Sequence, residues 1–271
     1  MSPASIPDVL ARIVEAQIGV VAAAKQARSV ADLREQPGYA LPRHSLVDSL
    51  SAKRPGVICE CKRRSPSRGI LRDPYDAAAI ARGYEAAGAA GISVLTNEEF
   101  FGGTLEDLRR VRDVVAVPLL RKDFVIDEYQ LEEARAAGAD AALLIASVLD
   151  PVQLRDFAAV ASGIGLEVLV EIHDAPELAG ALDSGARLIG INNRNLHNFV
   201  TDLATTEALA PDVPPDRIVV AESGLREGAD LRRLGHVGVH AFLVGEAFMQ
   251  AEVPGDALGR MLAEAAAAEA G

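Results

Sequence analysis

Eight short apolar segments alternate with helical patterns from residue 56 onward, four of the helical patterns run into glycine, and one segment after another closes on an ionisable or amide residue. These observations predict an α/β fold: a single (β/α)8 barrel of the TIM type, preceded by an N-terminal helical extension. A parallel barrel gathers the C-terminal ends of its strands at one mouth, so residues far apart in sequence would share a pocket. Alternation alone also fits a doubly wound open sheet.

Residues 1–55 stand outside the rhythm. IPDVLARIVEAQIGVVAAAKQA has the spacing of an amphipathic helix, and PGYALPRHSLVDSLSAKRPG reads as a loop with a short helix. No linker composition separates them from the strands beyond, so the extension is expected to pack on a barrel of residues 56–271, the whole chain forming one domain.

GVICECK is the first strand, and its pleat sends Glu60 and Lys62 to one face and Cys59 and Cys61 to the other. Cysteines suit the packed side against the helices, which turns the charged pair inward near the mouth. A surface ion pair at a strand end is the plainer alternative. Two residues apart on an extended strand, the cysteines are poorly spaced for a disulfide and read as buried thiols; nearby histidine or cysteine partners for a metal are lacking.

PYDAAAIARGYEAAG and TLEDLRRVRDVV are helical patterns on either side of the strand in GISVLT. In PLLRKDF, Leu120, Lys122 and Phe124 share a face; after the helical DEYQLEEARAAG comes the strand in DAALLIA. EVLVEI places Glu167, Leu169 and Glu171 on one face, ahead of the helical DAPELAGAL. RLIGIN closes on Asn192, RIVVAE on Glu222, and AFLVG supplies the eighth strand before DALGRMLAEAAAAEAG forms the last helix. Runs of valine, leucine and isoleucine this short suit parallel strands buried on both faces, and glycine just past a helix accepts the left-handed conformation that closes it.

The formal charge of −12 and a pI near 4.9 argue against nucleic acid or an anionic membrane as partner, while a local basic pocket for a small anion survives inside an acidic shell. MSPASIPDVLARI has neither a basic start nor a long apolar run, so a cytoplasmic enzyme is expected, and no stretch approaches the roughly 20 apolar residues of a membrane span. With no long apolar stretch left over once the barrel is assigned, a monomer is favoured.

Two lysines and two or three carboxylates in one cavity shift each other's pKa values, as acid and base chemistry requires. Taken singly, Lys122 also reads as a solvated loop lysine and Glu171 as a charge before a helix. AESGLREGADLRR puts Ser223 and Gly224 after the seventh strand, and AFLVGEAF puts Gly245 and Glu246 after the eighth, where barrels commonly seat phosphate on backbone N–H groups. The Glu246 amide would face the anion while its carboxylate points away.

ECKRRSPSRG, LLRKDFVID, VEIHD, IGINNRNL, AESG and FLVGE, in this order over residues 56–249, resemble the indole-3-glycerol-phosphate synthases of tryptophan biosynthesis, a family that also carries an extra helix before the barrel. The resemblance implies closure of 1-(2-carboxyphenylamino)-1-deoxyribulose 5-phosphate to indole-3-glycerol phosphate with loss of carbon dioxide and water, without metal or organic cofactor. It implies Lys122 as general acid at the substrate carbonyl and Glu171 as the proton handler in dehydration. Lys62 would pair with substrate anions, Glu60 would hold the lysines, and Asn192, Glu222 and Ser223 would complete the polar ring. Ser65 and Arg194 would bind substrate, Phe124, Leu196 and Leu243 would offer apolar contact, and phosphate would rest on Gly224, Gly245 and the Glu246 amide.

Two departures stand out: Asn97 occupies a position where many relatives carry an acid, and CEC is an unusual filling of the first strand; both read as changes behind the substrate-touching residues. Asn193 and Asn195 have a structural alternative as turn caps. Another phosphate-binding barrel, such as a phosphoribosylanthranilate isomerase or a tryptophan synthase α subunit, would fit the two glycine motifs equally well, but RKDF and VEIHD argue against it. A catalytically idle sugar-phosphate binder is opposed by intact Lys62, Lys122 and Glu171.

Overall fold

The computed structural model describes residues 8–195 and 200–267. Eight parallel strands close into a barrel: β1 (Gly56–Cys61), β2 (Gly91–Leu95), β3 (Leu119–Lys122), β4 (Ala141–Ile145), β5 (Glu167–Ile172), β6 (Leu188–Asn192), β7 (Ile218–Glu222) and β8 (Ala241–Val244). Each pairs with its sequence neighbours and β1 closes onto β8, with Ile58 opposite Leu243 and Cys59 opposite Val244. The open-sheet alternative is thereby excluded.

Pleating divides the apolar residues into two layers. Ile58, Leu120, Leu143, Leu169, Leu188, Val220 and Leu243 fill the interior, while Cys59, Cys61, Val94, Leu144, Val170 and Phe242 pack outward beneath the helices. Both cysteines are buried free thiols, and burial raises their pKa values, the opposite of activation. Glycines 88, 138 and 185 close their helices with positive φ; in the fourth unit Gly235 is the last helical residue and Gly238 is the left-handed one.

The extension divides its work between the ends of the barrel. Helix α1 (Asp8–Ala27) crosses to the mouth, where Gln17 links Asn97 to Asp123. Helix α2 (Val30–Arg34) sets Arg34 against Glu132, which also accepts from the Tyr39 hydroxyl at 2.7 Å. Helix α3 (Leu46–Ala52) plugs the opposite end with Leu46, Val47 and Leu50. Gly91 makes room there, since a Cβ on it would stand 2.7 Å from Leu46 Cδ1.

Candidate active site

Fourteen of the fifteen site residues expected from the sequence line one cavity of about 830 Å³ at the barrel mouth: Glu60, Lys62, Ser65, Lys122, Phe124, Glu171, Asn192, Arg194, Glu222, Ser223, Gly224, Leu243, Gly245 and Glu246. The remaining one, Leu196, lies outside the described residues.

Lys122 faces inward because its neighbours are fixed on the outside. Arg121, 3% exposed, pairs with Asp123 at 3.0 Å and Glu133 at 2.9 Å and donates to the Gln130 carbonyl at 2.7 Å. Asp123 also accepts from Thr96 Oγ1 at 2.7 Å and from the Phe124 amide at 2.9 Å. This network holds the strand end so that Lys122 Nζ lies 2.8 Å from Glu171 Oε2 and 2.6 Å from Glu222 Oε2. Asn192 Nδ2 donates to Glu171 Oε1 at 3.1 Å, and on β1 Glu60 and Lys62 pair with each other.

A lysine between two buried carboxylates is held charged. Burial works against the ammonium, yet Glu171, Glu222 and Glu60 together raise its pKa above the ordinary lysine value. Glu171 goes the other way: burial would raise it, but Lys122 and His173 hold it well below the usual carboxylate range. Glu222 is pushed up to about 7, chiefly by burial, with the Lys122 attraction offset in part by Glu171. Its Oε1 is buried without a hydrogen-bond partner, aimed at Gly190, where a Cβ would stand 2.3 Å from it. The cluster thus contains a loaded acid, an ionised base and a carboxyl near its midpoint at neutral pH.

The rest of the cavity is sorted by polarity. Leu10 and Ile13 of α1, Leu95, Phe101, Phe124 and Ile145 supply an apolar wall, with the Phe101 and Phe124 ring centroids 5.9 Å apart. Opposite stands an anion-seeking side. Ser223 and Gly224 are consecutive residues in the left-handed region, with φ of 65° and 82°. Gly224 has no room for a side chain, since a Cβ would meet Thr201 Cγ2 at 2.6 Å.

One local expectation needs correction and a second gains a packing reason. The Glu246 carboxylate does not point away: it lies in the cavity wall, 3.2 Å from Arg68 Nε and 3.3 Å from Arg194 Nη2. Gly245 is required for packing as well as for any backbone approach to an anion, because a Cβ there would stand 2.3 Å from Glu60 Oε1. Asn193, offered as a turn cap, is a buried tie: its Nδ2 donates to the Glu222 and Ser223 carbonyls, and its Oδ1 accepts from Thr206. Asn97 caps the short Glu98–Phe101 helix and donates to Gln17, behind the cavity wall.

Sequence reasoning missed Arg68, the α1 residues and His173. Arg68 sits in a tight turn between two paired dipeptides, Arg64–Ser65 and Gly69–Ile70, a pairing too short to leave a periodic signal. His173 follows Glu171 by two residues, which was the available signal; its Nε2 lies 3.3 Å from Glu171 Oε1 and its Nδ1 lies 3.3 Å from Glu177 Oε2. Among the described residues no three His, Cys, Asp or Glu side chains are grouped to hold a metal ion, and no helix is long and apolar enough to cross a membrane.

Residues 10–260 match the family model described as indole-3-glycerol phosphate synthase. The indole-3-glycerol phosphate synthase of Bordetella pertussis is 47% identical over 263 residues, spanning 94% of this chain and 99% of that protein. The protein of the same name from Albidiferax ferrireducens is 45% identical over 262 residues, spanning 95% and 99%. Among solved structures, the N-acetylmannosamine-6-phosphate 2-epimerase from Clostridium perfringens aligns with a TM-score of 0.59 at 15% identity, over 76% of this chain and 92% of that one. KGPDC from Streptococcus mutans aligns with a TM-score of 0.61 at 15% identity, over 78% and 96%. These two likenesses concern the fold alone.

Proposed function

The chain belongs to the indole-3-glycerol phosphate synthase family, and on that premise we propose how its barrel mouth closes the indole ring. The substrate is 1-(2-carboxyphenylamino)-1-deoxyribulose 5-phosphate, and the chain acts as a carboxy-lyase of tryptophan biosynthesis. The observation that carries the assignment of roles is Lys122 Nζ held between Glu171 and Glu222.

Attack of the aryl carbon on the ketone builds negative charge on oxygen. Lys122 stabilises that charge and gives the oxygen a proton. The carboxylate then leaves as carbon dioxide, and its bonding electrons restore the aromatic ring. In the final step the hydroxyl takes up a second proton, drawn from solvent at the barrel mouth, and departs as water, while Glu171, kept ionised by Lys122 and His173, removes the proton from the adjacent carbon. Glu60 holds Lys62, which faces the substrate anions, and Asn192, Glu222 and Ser223 line the ribulose portion.

Substrate polarity runs parallel to the cavity. The anthranilate ring meets Phe124 and Leu243, with Phe101 and Ile13 added to that wall. Arg194 and Ser65 bind polar groups of the substrate, and Leu196 follows Arg194 by two residues in the sequence. Phosphate rests on the backbone of Gly224, Gly245 and Glu246. Because α1 contributes directly to the wall, extension and barrel act as one unit. The net acidic charge argues against nucleic-acid or anionic-membrane partners. Exposed apolar side chains such as Ile18, Ile70, Val152 and Val253 come from separate elements, which supports a monomer.

Purified protein mixed with the anilino-ribulose phosphate should generate indole fluorescence in step with substrate loss. Substrate consumption without an indole product would contradict the reading.

A further inference from the structure

Three polar side chains lie in a row behind the apolar wall of the cavity, each nearly sealed from solvent: Asn97 is 7% exposed, Gln17 3% and Asp123 2%. They come from three segments, the loop after β2, helix α1 and the loop after β3. Burying polar groups costs free energy unless each finds a partner, and here the partners allow one arrangement. Asn97 Oδ1 accepts the Phe100 N–H at 3.0 Å, which leaves its Nδ2 to donate to Gln17 Oε1 at 3.2 Å. At the other end Asp123 Oδ1 accepts the Phe124 N–H at 2.9 Å, and Gln17 Nε2 donates to that same oxygen at 3.4 Å. An amide accepts on one side and donates on the other without carrying charge, which neither a carboxylate nor a hydrocarbon can do at this position.

Each partner of Gln17 fixes one piece of that wall. Asn97 caps the short helix that ends in Phe101, Asp123 holds the backbone of Phe124, and the two rings line the cavity with their centroids 5.9 Å apart. Leu10 and Ile13, on the same face of α1 as Gln17, reach the cavity beside them, whereas Gln17 itself is absent from the lining. The far end of α1 has anchors of its own: Lys25 pairs with Asp127 at 2.8 Å, and the Tyr129 hydroxyl lies 3.1 Å from the Ala24 carbonyl and 3.0 Å from that of Arg28. Losing the Gln17 contacts therefore leaves the helix attached and frees only its first turns, those above the cavity.

We propose that Gln17 is a positioning residue for the aromatic half of the substrate: its amide sets the register of Leu10 and Ile13 against Phe101 and Phe124, and with it the grip on the anthranilate ring. This rests on the ring-closure reading above. Without Gln17, Asp123 keeps Thr96, Arg121 and the Phe124 amide, so the end of β3 and the place of Lys122 are preserved. Ring binding should weaken while the chemistry persists.

The chain contains no tryptophan, so indole emission reports on the product alone. The test compares wild type and Gln17→Met by fluorescence titration with indole-3-glycerol phosphate and by steady-state kinetics, with folding checked by circular dichroism. Methionine keeps the length of the side chain and loses both hydrogen bonds. In Gln17→Met the product Kd and the KM should rise about ten-fold, the scale of two lost hydrogen bonds, while kcat stays within about three-fold of wild type. Emission of the bound indole should shift to longer wavelength, toward its value in water. Asn97→Ser keeps an oxygen to cap Phe100 and loses the donor to Gln17, so it should show the same pattern more weakly, and it carries the test should Gln17→Met not fold. Folded variants with KM and Kd within about two-fold of wild type would overturn the inference. A kcat that falls ten-fold or more at unchanged KM would overturn it too, making Gln17 a prop for Lys122. A wild-type protein that makes no indole would instead overturn the ring-closure reading, and the inference with it.

Discussion

Both ends of the barrel bury carboxylates and use them in opposite ways. At the closed end, Asp140 accepts from the His44 and Leu119 amides, each at 2.8 Å, and pairs with Arg112 at 2.8 Å. Glu167 likewise accepts from Ser45 Oγ at 2.7 Å and from the amides of Leu46 and Val47 at 2.8 and 3.0 Å, tying α3 across the strands. Each of these carboxylates is satisfied by backbone amides together with one fixed side-chain donor. At the mouth, Lys122 is shared by two carboxylates, Glu222 keeps a buried oxygen unpaired, and Glu171 divides its oxygens among Lys122, Asn192 and His173. Saturated charge fastens the fold; unsaturated or shared charge is available to a substrate.

That contrast can be broken by mutation. Glu171→Gln keeps the side-chain shape and leaves Lys122 its second carboxylate, so turnover should fall about 100-fold with substrate affinity changed far less. Steady-state kinetics would check it, and weakened affinity with intact turnover would make Glu171 a binding residue. Asp140→Ala should do the reverse: stranding Arg112 and two backbone amides should lower unfolding stability by about 3–5 kcal/mol in denaturant titration, with kcat per folded molecule unchanged.

Glu222 sharpens the contrast through pH. Its carboxyl is raised from 4.5 to about 7, so the folded chain retains a proton in that window that the unfolded chain has released. The resulting stability is fully present below 4.5 and lost as pH rises through about 7. Glu222→Gln does not titrate, and its unfolding free energy should lose on the order of 2 kcal/mol less than wild type between pH 5 and pH 8. The smallest effect is expected at the rim. Glu246→Ser removes a carboxylate that competes for Arg68 and Arg194 and keeps the backbone amide, so product affinity by calorimetry should stay within about three-fold of wild type or improve.

The strands were legible because each is a short apolar run bounded by glycine or a polar or charged residue, and the pleat of GVICECK already sorted Glu60 and Lys62 from the cysteines. Strand ends also sufficed to gather Lys122, Glu171, Asn192 and Glu222 at one mouth. What strand ends do not encode is partner choice: that Lys122 sits between Glu171 and Glu222 depends on barrel closure and on the Arg121, Asp123 and Thr96 network outside it. The helical period of α1 gave its amphipathic character but not the surface it meets, so Leu10 and Ile13 in the cavity wall went unforeseen. The direction of the Glu246 carboxylate is set by Arg68 and Arg194, from two separate loops, and a local reading had no access to either.

The most direct measurement is single-turnover indole formation by Lys122→Met beside wild type, with enzyme in excess over substrate and the fold of both checked by circular dichroism. If the mouth holds its charge for chemistry, the variant should form indole roughly 100-fold more slowly or worse while remaining folded. Near-normal single-turnover indole formation by a folded Lys122→Met protein would contradict the account, because the lysine between Glu171 and Glu222 would then be one more structural ion pair.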